Sequence, residues 1–81
     1  MEAGLDALYK RHDAATAIVE FLTVLQRNPN HYGANFQLAK ALDAAGATNA
    51  ARAQWAKMLQ MAEAVNDQPS IATARARLAA P

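Results

Sequence analysis

Displaced by 34 residues along its own length, the chain falls on itself. Ala7 meets Ala41, Leu8 meets Leu42, Ala17 meets Ala51, Leu25 meets Leu59 and Gln26 meets Gln60. Phe21 falls on Trp55 and Val24 on Met58, bulk for bulk. A period of this length accommodates one pair of helices per unit, and such units bury their apolar faces on one another rather than each around a private core. The chain is therefore constrained to a row of stacked helices. A sheet is disfavoured on a second ground, since Val, Ile and Thr nowhere alternate with polar residues.

Punctuation divides the row. His12-Asp13 interrupts the first apolar run, and Asp13 can cap a new helix by accepting a backbone N–H. Asn28-Pro29-Asn30 is a stop, because Pro29 lacks an N–H and pushes Asn28 out of helical geometry. Gly46 can take the left-handed conformation that ends a helix, with Thr48 or Asn49 capping the next. Asn66-Asp67-Gln68-Pro69 is the last break. Five helices follow, over 2–11, 14–28, 32–45, 49–65 and 70–79. Alanine at 22 of 81 positions favours helix throughout, since it loses no side-chain entropy there. Ala17, Ile18, Phe21, Val24 and Leu25 make a one-sided stripe, as do Ala51, Trp55, Met58, Leu59 and Ala62. In the last helix Ile71, Ala74 and Leu78 are expected to face inward.

Charge and composition narrow the function. Eight basic and seven acidic residues, spread along the chain, leave a net charge of +1 with no clustered basic face for nucleic acid. Arg75 and Arg77 read as a solvated helix face. With no cysteine there is no disulfide, thiolate ligand or thiol nucleophile. His12 and His31 are the only histidines and neither has a partner at metal-binding spacing, so His31 reads as a loop or capping residue. No phosphate-cradling glycine loop and no recognisable nucleophile, base and acid set is present, so no enzyme, cofactor or metal is expected. No apolar run approaches the roughly 18 residues of a membrane span, and the first residues lack a signal peptide, so a cytoplasmic protein is expected.

Tyr9 through Asp13, Ala17-Ile18, Phe21, Val24-Leu25 and Asn28-Pro29-Asn30 resemble the second half of a tetratricopeptide repeat. Leu38-Ala39, Leu42, Gly46, Ala51, Trp55 and Leu59 resemble the next repeat. The likeness covers residues 1–65 and implies an all-α solenoid fragment within one domain, 1–81. Its first repeat would span 1–31, its second 32–65, and a capping helix 70–79. The pattern departs from the family at Gly4-Leu5, at His12 in place of a turn glycine, and at Glu63 in place of proline, which implies that the fourth helix runs on to Val65.

The resemblance also implies a function. In this family the first helix of each repeat lines a groove for a peptide or a partner's helix. Here that groove would be lined by Tyr9 from the first repeat and by Phe36, Gln37, Lys40 and Asp43 from the second. Glu2 and Asp6 stand where the carboxylate-gripping members carry basic or amide residues, so a clamp for a C-terminal carboxylate is not expected. Two repeats and one further helix are fewer than the three units that usually sustain a stack. A second expectation is therefore self-association, or docking into a larger assembly, through the open flanks.

Overall fold

The structure, a computed structural model, describes residues 14–79. The first predicted helix, 2–11, and the proposed cap at Asp13 lie outside these residues. The described chain is all-helical, with α1 at Ala14–Arg27, α2 at Tyr32–Ala44, α3 at Thr48–Ala64 and α4 at Gln68–Ala79.

The turns explain why the helices stop where they do. After Pro29, His31 caps α2, its Nδ1 accepting the Ala34 N–H at 3.0 Å. Gly46 follows α2 at φ +75°. Its N–H reaches the Asp43 carbonyl and the Ala47 N–H reaches the Leu42 carbonyl, both at 3.0 Å, a Schellman closure that uses up two otherwise orphaned carbonyls. A Cβ on Gly46 would meet nothing within 4 Å, so only the backbone resists substitution. Gly46→Ala is expected to cost about 1–2 kcal/mol, the penalty for a left-handed L-residue. A chemical denaturation midpoint equal to wild type would refute this.

Two helix starts differ from expectation for physical reasons, and the first three described helices each end one residue sooner than expected. Thr48 and Asn49 do not cap α3. Ala47 holds the cap position without a side-chain bond, and Thr48 is already helical. The Schellman turn has placed the helix start one residue early. In α4 the helix begins at Gln68 rather than 70. Asn66 takes φ 56° and closes α3 as Gly46 closes α2, through Asn66 N–H to Glu63 and Asp67 N–H to Ala62. Asp67 is then free to cap α4 and receives the Ser70 N–H at 3.4 Å. Pro69 sits in the first turn, where a missing N–H is harmless.

The helices pack mainly on their chain neighbours. Ala14, Ala17 and Phe21 of α1 bury against Leu38 and Ala41 of α2. Ala39 of α2, Ala51, Trp55, Met58 and Ala62 of α3, and Ile71 and Ala74 of α4 make a second, larger core. Leu42 packs against both. Phe21 and Trp55 are both closed off from solvent, as are Ala17 and Ala51, so α1 and α3 bury equivalent positions. Leu25 and Leu59 are both half-buried. Small Ala34, Ala39, Ala41 and Ala74 are wholly buried, which lets the backbones come close.

Candidate partner-binding face

At 100° per residue, α2 sorts its side chains into four sectors. Leu38 and Ala41 point at α1. Asn35 meets α3, its amide oxygen accepting from Gln54 Nε2 at 2.9 Å. Tyr32, Phe36, Ala39 and Asp43 lie toward the α3–α4 side. Gly33, Gln37, Lys40 and Ala44 form the remaining sector and belong to neither core cluster.

The side toward α4 is fastened at both ends. At the N-terminal end the Tyr32 hydroxyl donates to Asp67 Oδ2 at 2.7 Å, and the Ser70 hydroxyl donates to the same oxygen at 2.7 Å. At the other end Asp43 Oδ2 accepts from Trp55 Nε1 at 2.7 Å, with Arg77 Nε at 3.6 Å. Tyr32 against Ser70 and Asp43 against Arg77 mean that α2 and α4 run in the same direction. Helix α3 returns between them, antiparallel to both, with Lys57 on the Pro29 carbonyl and Glu63 facing Arg75.

Of the five expected groove residues, Gln37 and Lys40 lie in this last sector, Phe36 and Asp43 lie toward α3 and α4, and Tyr9 lies outside the described residues. Phe36 is half-buried and sets its ring edge-on against Trp55, with centroids 5.5 Å apart. Lys40 Nζ stands 6.0 Å from the Phe36 centroid, at the outer reach of a cation–π contact. Asp43 keeps 30% of its side chain exposed, yet its carboxylate already serves Trp55. Gln37 is half-buried, and its Oε1 is enclosed with no hydrogen-bond partner. Phe36 and Asp43 thus belong partly to the packing, whereas Gln37 and Lys40, both half-buried, belong to neither core cluster among the described residues.

No protein-family model matches the chain, and neither does any curated protein or solved structure. The argument therefore stands on this face and its supports. Among the described residues no three carboxylates or imidazoles converge on a point that could hold a metal ion. None of the described helices is long and apolar enough to cross a membrane.

Three supporting residues escaped the sequence reading. Asn35 is completely buried and donates to the Pro29 and His31 carbonyls at 3.1 and 2.9 Å. Tyr32 and Asp67 form a pair 35 residues apart that no local motif announces. The Tyr32 hydroxyl, and after it the Ser70 hydroxyl, hold the Asp67 carboxyl below its ordinary value of 3.8. Burial first, and then the Asp67 hydrogen bond, raise the Tyr32 phenol above 10.0. A carboxyl lowered in the folded state adds stability above its unfolded pKa and loses it as pH falls through the folded value. Tyr32 works in the opposite direction: its share is present below pH 10.0 and is lost as pH rises beyond that. Thermal unfolding of Asp67→Asn is thus expected to trail wild type at neutral pH and to converge on it in acid. A gap that persists unchanged through the acid range would count against the capping role.

Proposed function

We propose that the chain is a non-catalytic interaction module, related in design to tetratricopeptide repeats, that takes a peptide or a partner's helix along α2. One observation carries this reading. Tyr32, Asn35, Leu38 and Asp43 tie α2 to its neighbours, while Gly33, Gln37, Lys40 and Ala44 belong to neither core cluster among the described residues. A helix tied to its neighbours holds such a row of side chains in place before a partner arrives, which favours binding by pre-organisation. Phe36 supplies an apolar flank to that row, and Lys40 a charge that sets register. The equivalent burial of Phe21 and Trp55 at a 34-residue spacing supports the repeat design.

The test reads Lys40→Glu beside Gln37→Ala, because Phe36 and Asp43 are tied to Trp55 and Lys40 itself stands over the Phe36 ring. Peptides selected from a random library on the immobilised chain are expected to lose about tenfold or more in affinity on Lys40→Glu, with helicity unchanged. That factor corresponds to about 1.4 kcal/mol. A library that yields no binder, or binders indifferent to both Lys40→Glu and Gln37→Ala, would sink this reading.

A further inference from the structure

Helix α4 is held more lightly than the helices before it. Among the described helices, α2 and α3 are each packed on two neighbours, whereas α4 packs on α3. Helices α1 and α3 each enclose an aromatic side chain, Phe21 and Trp55. Helix α4 encloses only Ile71 and Ala74, with Leu78 half-buried. Segments with few buried apolar contacts are the ones that open at low cost while the rest of a chain stays folded.

The other ties of α4 are polar. At its start the Asp67 N–H closes α3 on the Ala62 carbonyl at 2.9 Å. Asp67 Oδ2 accepts the Ser70 hydroxyl from the first turn of α4 and the Tyr32 hydroxyl from α2. One carboxylate oxygen thus couples the cap of α4 to α2, and a movement of α4 that carries Asp67 away breaks the Tyr32 bond with it. Further along, Arg75 stands 3.4 Å from Glu63 and Arg77 3.6 Å from Asp43. Both arginines are exposed, and ion pairs of that kind hold weakly. Only residues 65–67 join α4 to α3. Val65 and Asn66 are both exposed, and Asn66 is left-handed at φ 56°, so no packed side chain secures the connection ahead of Asp67.

We propose that α4 is a strap, which opens as one unit about residues 65–67 while α1, α2 and α3 stay folded. Opening withdraws Ile71 and Ala74 from the core that they share with Ala39, Trp55, Met58 and Ala62. It also parts Tyr32 from Asp67 and Asp43 from Arg77. Tyr32 and Asp43 stand on the same helix as Phe36, Gln37 and Lys40, so the strap sets how much of α2 and α3 lies open beside that row. The opening depends on α4 and its ties alone, and it holds whether or not α2 takes a peptide.

Residue-resolved amide hydrogen exchange on the full chain tests this. The amides of residues 71–78 are expected to share one protection, lower than that of the slowest amides of α3. Gly46→Ala weakens the turn between α2 and α3, and its added Cβ meets nothing within 4 Å. It is expected to speed the slow α3 amides about tenfold and to leave residues 71–78 unchanged. Tyr32→Phe is expected to speed residues 71–78 about tenfold, the factor that follows from losing a hydrogen bond to a carboxylate. The chain has no cysteine, so a single introduced thiol reports uncovering without background. Both Ala74 on α4 and Ala41 in the core of α1 and α2 are wholly buried. Ala74→Cys is expected to react with a thiol reagent at a rate that Gly46→Ala leaves alone, and Ala41→Cys at a rate that Gly46→Ala raises. Residues 71–78 as protected as α3, or quickened together with α3 by Gly46→Ala, would overturn the proposal, because α4 would then open only when the whole chain does. So would protection that falls steadily toward Ala79, which marks fraying rather than a unit, or wild-type exchange of α4 in Tyr32→Phe. If Tyr32→Phe lost helicity, Ser70→Ala would take its place, with the same rise expected and the same absence of a rise ending the proposal.

Discussion

Trp55→Ala is expected to lower stability by about 3–5 kcal/mol, the usual cost of emptying a large aromatic site. The indole is 1% exposed and lies in the core that α2, α3 and α4 share. Its loss opens a cavity where three helices meet, and backbones already brought close by Ala39, Ala51 and Ala74 have little room to collapse further. A domain of this length holds only about 4–12 kcal/mol in total, so the variant forfeits a large share of it. Trp55→Phe separates the two contributions. It keeps most of the ring but removes the Nε1 donor to Asp43, and about 1–2 kcal/mol is expected from that loss alone. Urea unfolding followed by circular dichroism reads both variants. An alanine variant with the wild-type midpoint would mean that the ring is not interior.

Trp55 also marks how far the sequence could be read. Its burial followed from two local signals: a helical stripe and a partner, Phe21, at the repeat distance. The same signals located Ala17, Ala51 and Met58, and the stripe alone located Ile71 and Ala74; all five are buried, while Leu78 is half-buried. Helix ends were legible where one residue carries the turn, as at Pro29 and Gly46. They were less legible where several residues share it. Asn66 takes the left-handed position that glycine holds after α2, which frees Asp67 to cap and starts α4 two residues early. Nothing in the order of residues 65–70 distinguishes that solution from a longer loop. The sequence placed Phe36, Gln37, Lys40 and Asp43 together on α2, but their division among the neighbouring helices was not visible. Phe36 and Asp43 both turn toward Trp55, and such a commitment depends on the rotation of α3, which periodicity alone does not fix.

Asn35 is the residue on which periodicity was most silent. An amide at a fully buried helical position looks like a defect in a stripe, yet here it ties three segments together. Its Nδ2 donates to the carbonyls of Pro29 and His31, holding the turn against the start of α2. Its Oδ1 receives Gln54 from α3. Asn35→Leu keeps the volume and removes these bonds, leaving polar groups enclosed. A loss of about 1–3 kcal/mol is expected, since an unsatisfied buried group forfeits its hydration without return. Some of the cost is softened locally, because Gln54 still donates to the Asn35 backbone carbonyl and Lys57 to Pro29. Gln54→Leu added to Asn35→Leu takes away one stranded donor, so the double variant is expected to lose less than the sum of the single losses. Urea midpoints of the four proteins give the coupling. Strict additivity would mean that the Asn35–Gln54 bond contributes nothing, and a neutral Asn35→Leu would mean that the turn before α2 is held by His31 and Pro29 alone.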